Sequence, residues 1–117
     1  MANNIEVYRG DDKSISLTFT DKATGLAEDI TGWTVYFTVK EAYDNDPTDS
    51  AALITKDVTS HTAPTSGQTA IALTDTNTNI SPGSYFYDIQ AKDASGNIMT
   101  VVSGIFEVLA DVTRRTT

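Results

Sequence analysis

The chain has 117 residues, 16 of them acidic against 8 basic, for a formal net charge of -8, and it contains no cysteine. That length suits one domain over residues 1–117, and the missing thiol excludes disulfide frameworks, thiolate metal sites and cysteine nucleophiles. An acidic surface repels nucleic acid, and no stretch approaches the roughly 18 apolar residues of a membrane span, so neither nucleic-acid binding nor membrane insertion is expected.

Alternation dominates the chain from its start. Met1-Ala2-Asn3-Asn4 carries neither a basic region nor an apolar run, which predicts a soluble, unprocessed N-terminus. A short strand is expected through Ile5 and Val7. Ile15, Leu17 and Phe19 then share one face of a second strand, with Ser14, Ser16, Thr18 and Thr20 on the other, the pattern of a half-buried strand. The polar segment Thr20 to Gly25 reads as a turn, and Asp29-Ile30-Thr31-Gly32 leads into a strand that buries Trp33, Val35, Phe37 and Val39.

An acidic stretch from Glu41 to Ser50, with Pro47 inside it, separates this strand from a weaker one over Leu53 to Val58. Ser66-Gly67 opens a strand marked by Ile71 and Leu73. Asp75 to Ile80 holds an N-cap residue but too few positions for more than one helical turn, and so reads as a link between two sheets. Pro82-Gly83 turns into a strand whose Tyr85, Tyr87, Ile89 and Ala91 point one way, running to about Lys92. Ala94-Ser95-Gly96-Asn97 makes a tight hairpin, and Ile98 to Leu109 returns as the last strand.

Strands at this spacing, with no segment of sustained helical periodicity, predict an all-β fold. The expected form is an immunoglobulin-like antiparallel β-sandwich of about seven strands. In such a sandwich a tyrosine of the Tyr85–Tyr87 strand serves as a corner residue, its ring in the core and its hydroxyl bonded to the preceding loop.

If Tyr85, Tyr87 and Ile89 face the core, Phe86 faces out with Asp88, Gln90 and Lys92. The same parity puts Tyr36 outside with Thr34, Thr38 and Lys40. Phe106 and Val108 read as core, which turns Ile105, Ser103, Val101 and Met99 outward unless Gly104 marks a bulge. With these three strands as neighbours, Tyr36, Phe86, Val101 and Ile105 form a candidate protein interface. The alternative is a scatter of single apolar residues of the kind any surface carries.

No reaction can be assembled from the remaining residues, and the expectation is a protein that is not an enzyme, with no catalytic residue, no metal and no cofactor. His61 is the only histidine and sits in a polar run, so it reads as a loop residue with no second imidazole for a zinc site. No Gly-x-Ser-x-Gly elbow or phosphate-cradling loop is present. The cluster Asp44-Asn45-Asp46-Pro47-Thr48-Asp49 offers oxygen ligands for calcium but lacks the glycine and distal glutamate of an EF-hand loop, which favours a solvated loop. Arg9-Gly10-Asp11 spells an integrin-recognition tripeptide, yet three residues specify little, and a turn between the first two strands explains them as well.

Taken in order, these pieces resemble a known family: Arg9-Gly10-Asp11, Asp29-Ile30-Thr31-Gly32 before Trp33, Asp75-Thr76-Asn77, Pro82 to Ile89, Gly96, Gly104 to Val108, and Asp111-Val112-Thr113-Arg114. The sequence is similar to the small immunoglobulin-like structural domains of tailed bacteriophages, related to the N-terminal domain of baseplate upper proteins. The resemblance implies a virion module of tail, baseplate or fibre, made in the host cytoplasm and often present in several copies. Its implied partners are itself, as a homo-oligomer, or other phage structural proteins, and it implies no enzymatic activity. The rival expectation is a module binding cell-surface carbohydrate or an adhesion partner through Tyr36, Tyr43 and Phe86. The short tail after Arg114 fits a complete small protein and an excised domain equally.

Overall fold

A computed structural model describes residues 4–21, 23–41 and 52–110. Seven strands follow the alternation closely: β1 (Ile5–Tyr8), β2 (Lys13–Thr18), β3 (Thr34–Lys40), β4 (Ile54–Val58), β5 (Gln68–Leu73), β6 (Gly83–Lys92) and β7 (Ile98–Leu109). A single 3-10 turn, Pro64–Ser66, precedes β5, and the described residues contain no α-helix.

The strands form a five-stranded sheet in the order β1-β7-β6-β3-β4 and a two-stranded sheet, β2-β5. Core side chains come from both sheets, giving a sandwich-like arrangement. From the large sheet Val35, Phe37, Val39, Tyr87, Ile89, Phe106 and Val108 are buried, and from the small one Ile71 and Leu73. Phe37 lies at the centre, its ring 5.8 Å from that of Tyr87 and 6.0 Å from that of Phe106. Each such side chain stabilises the fold by about 1.5–3 kcal/mol through removal of apolar surface from water. Burial in this setting also pushes the Tyr87 phenol above its ordinary value.

Two expectations are corrected. The sheet is mixed and not wholly antiparallel, because β1 pairs with β7 in parallel, Ile5 opposite Phe106 and Tyr8 opposite Leu109. These two strands are joined through the whole remainder of the fold, so no hairpin dictates their relative direction. The tryptophan strand begins one residue late, at Thr34. Trp33 is half-buried just ahead of it, its ring set edge-on to Phe19 with centroids 5.6 Å apart.

The turn at 9–12 moves the chain from one sheet to the other. Gly10 takes φ +83° there, and the Asp11 amide donates to the Tyr8 carbonyl at 3.1 Å. The loop before β6 holds this turn in place. Buried Thr78 donates its hydroxyl to the Asp11 carbonyl at 2.7 Å, and the Asp75 amide donates to the Asp12 carboxylate at 2.7 Å. Arg9-Gly10-Asp11 is thus a sheet-to-sheet turn, the structural alternative weighed above.

Candidate interface on the large sheet

Strands β3, β6 and β7 are neighbours, and their outward residues line up in rungs across the sheet. Phe86 stands opposite Ile105 on one side and Lys40 on the other. The next rung toward the β6–β7 hairpin is polar: Ser103, Asp88, Thr38 and Thr55. Beyond it lie Gln90, Tyr36 and Asp57.

The parity of β7 depends on a bulge, and it falls at Val101, not at Gly104. Ile89 pairs with Val102 while Gln90 pairs with Thr100, which leaves Val101 as the extra residue. Ile105 and Ser103 consequently face out in step with Phe86 and Asp88, whereas Met99 lies opposite Ala91, on the core side.

Of the four candidate residues, the fold brings two together. Phe86 and Ile105 are direct cross-strand partners, each half-buried. Tyr36 is half-buried on the far side of the polar rung, about 13 Å along the strands from the Phe86 rung at ~3.3 Å per residue. Gln90 stands between Tyr36 and the exposed Val101 bulge. The outer face therefore carries an apolar pair and a separate aromatic, divided by Asp88 and its polar neighbours.

Sequence patterning turned Met99 and Val101 outward and took Val101 into the candidate interface, but it did not single out Ile98 or group the three. Ile98, Met99 and Val101 are half of the six exposed large hydrophobic residues among those described, and all three lie at the start of β7. An apolar pair directly after the hairpin Asn97 was the available signal. The hairpin is held by Asp93, whose carboxylate accepts from the Ser95 and Asn97 amides, both at 2.9 Å. These bonds, led by Asn97, keep its carboxyl below the usual value. Asp29 is lowered in the same way, chiefly by the Thr31 hydroxyl at 2.6 Å.

His61 lies in the loop after β4, as expected, but it is half-buried and fully engaged. Nε2 is 2.8 Å from the Trp33 carbonyl oxygen, and Nδ1 is 2.8 Å from the hydroxyl of buried Thr69. A carbonyl only accepts, so Nε2 donates to it, and Nδ1 is hydrogen-bonded to the Thr69 hydroxyl. His61 ties three separate segments together and has no free lone pair for a metal or a substrate.

Tyr43 and the cluster Asp44 to Asp49 lie outside the described residues. Among the described residues no group of three or more His, Asp or Glu side chains gathers in metal-binding geometry. No described helix is long and apolar enough to cross a membrane. No protein-family model matches the chain, and no curated protein does.

Proposed function

We propose that this chain is a non-enzymatic structural module of a tailed-phage virion, an immunoglobulin-like sandwich that works by self-assembly or by docking another tail component. Support for the fold comes from the strand order, with β1-β7-β6-β3-β4 facing β2-β5, and from Tyr85, whose hydroxyl bonds to the Ser81 carbonyl as a corner tyrosine does. The observation that carries the mode of action is apolar surface at two places on the large sheet, the Phe86–Ile105 pair on its outer face and, beyond the polar rung, Ile98, Met99 and Val101 exposed at the start of β7. The phage setting rests on the ordered likeness from Val7 to Arg114.

Light scattering across concentration tests the mode of action. Concentration-dependent oligomers, weakened in a Phe86→Asp variant that keeps its melting temperature, are the expected result. A second reading, carbohydrate binding, is favoured by Tyr36 standing between Asp57 and Gln90, an aromatic flanked by a carboxylate and an amide. A glycan array positive at low micromolar affinity, with a monomer at every concentration, would overturn assembly in favour of that reading.

A further inference from the structure

β1 covers β7 only from Phe106 to Leu109, and among the described residues no strand pairs with the rest of that side of β7. The Ile105 amide is met by the Asn4 side chain at 3.4 Å, and upstream of it, from Ile98 to Gly104, no described strand pairs with this edge. An open edge presents backbone donors and acceptors ready for another strand, and proteins usually guard one with charge. Other strands bordering a sheet carry such charges: Glu6 on β1, Lys13 on β2, Lys56 and Asp57 on β4. β5 is uncharged, but its exposed residues are only Gln68 and Ala72. The β7 edge has no charged guard, and its exposed residues include large apolar ones. Ile98-Met99-Thr100-Val101-Val102-Ser103-Gly104 is uncharged in a chain of net charge -8, and Ile98, Met99 and Val101 are 63%, 40% and 37% exposed.

We propose that the open edge of β7 is where a second copy of this chain docks, edge to edge and antiparallel about a two-fold axis, joining two five-stranded sheets. The inference rests on the assembly reading above and names its contact. Charge selects the occupant. Two molecules of charge -8 repel over most of their surfaces, and this uncharged edge is a place where identical copies meet without placing like charges opposite one another. An antiparallel pair of identical strands is self-complementary, as a two-fold interface requires. The Val101 bulge interrupts the edge, so pairing divides into short runs and the dimer is weak and concentration-dependent.

Sedimentation velocity of the full chain over a wide concentration range is the test, with Met99→Lys and Val101→Lys as variants. The expected result is a reversible dimer, weakened about tenfold or more by either lysine at unchanged melting temperature. Because the chain has no cysteine, single replacements report contacts directly, whether or not a lysine variant folds. Thr100→Cys, Val101→Cys and Ser103→Cys are oxidised separately, with Thr55→Cys on the β4 edge as control. Opposed antiparallel positions lie about 4.5–5.5 Å apart, within disulfide reach, so a covalent dimer is expected at one of the β7 positions and not at Thr55. A dimer that ignores both lysines, or that cross-links only through Thr55→Cys, overturns the edge. If that dimer is instead lost in Phe86→Asp, the assembly reading stands without it. A monomer throughout, with a glycan array positive, overturns both.

Discussion

Tyr85 donates its hydroxyl to the main-chain carbonyl of Ser81, four residues upstream, while its ring is buried in the core. One side chain thus fixes both the start of β6 and the loop that delivers the chain to it. Tyr85→Phe keeps the ring and removes the bond, and is expected to cost about 1 kcal/mol. Tyr85→Ala also empties the core and is expected to cost about 3–5 kcal/mol. Urea denaturation of both variants separates the two contributions.

His61 and Thr69 provide a second test. His61→Phe leaves the buried Thr69 hydroxyl and the Trp33 carbonyl without their partner, at an expected cost of about 1–3 kcal/mol. Adding Thr69→Val removes the stranded hydroxyl, so the double variant should be less destabilised than the sum of the singles. A double-mutant cycle measured by chemical denaturation gives the coupling, and strict additivity would contradict the shared bond.

Gly67 follows the 3-10 turn at φ +71°, and a Cβ placed there would lie 2.4 Å from the Phe19 carbonyl oxygen and 2.8 Å from that of Glu28. Both neighbours are backbone and cannot swing aside. Gly67→Ala is therefore expected to destabilise by about 3 kcal/mol or more, combining left-handed strain with displacement of a strand end. Gly25→Ala has a similar positive φ but open space around it, and should cost only about 1 kcal/mol. Melting temperatures of the two variants should differ accordingly.

Acid should loosen the hairpin first at Asp93. Its carboxyl is lowered from 3.8 by hydrogen bonds from Asn97, so the folded state holds the proton less tightly than the unfolded chain. The stabilisation is complete above the unfolded value of roughly 3.9 and is lost as pH falls through the lower folded one. Asp29 acts with the same sign. The urea midpoint should drop as pH falls below the unfolded value, and Asp93→Asn should flatten that slope. An unchanged slope would mean that the hairpin bonds do not form in solution.

The seven strands could be read from the sequence because period-two alternation records which face each residue presents. Ile15-Leu17, Val35-Phe37-Val39 and Tyr85-Tyr87-Ile89 all keep their parity. Alternation carries no information about direction between strands far apart in the chain, which is why the parallel β1–β7 pair was not foreseen. Nor does it mark where a bulge falls. Gly104 was a reasonable position, yet the extra residue is Val101, a strand former with no local signature. For the candidate interface, parity placed Phe86 and Ile105 on one face. The polar rung that separates them from Tyr36 follows from registers that pairing alone sets. His61 was unreadable for another reason, since its partners Trp33 and Thr69 are brought to it by tertiary contacts.

The parallel pairing of β1 with β7 also fixes how the molecule bears tension. The chain passes Ile5 beside Phe106 and leaves Leu109 beside Tyr8, both strands heading the same way. A pull applied to the two ends slides these strands along each other, so all the hydrogen bonds of the pair resist together, whereas a hairpin pulled apart loses its bonds one at a time. Under load, the short first strand acts as a shear clamp on the last.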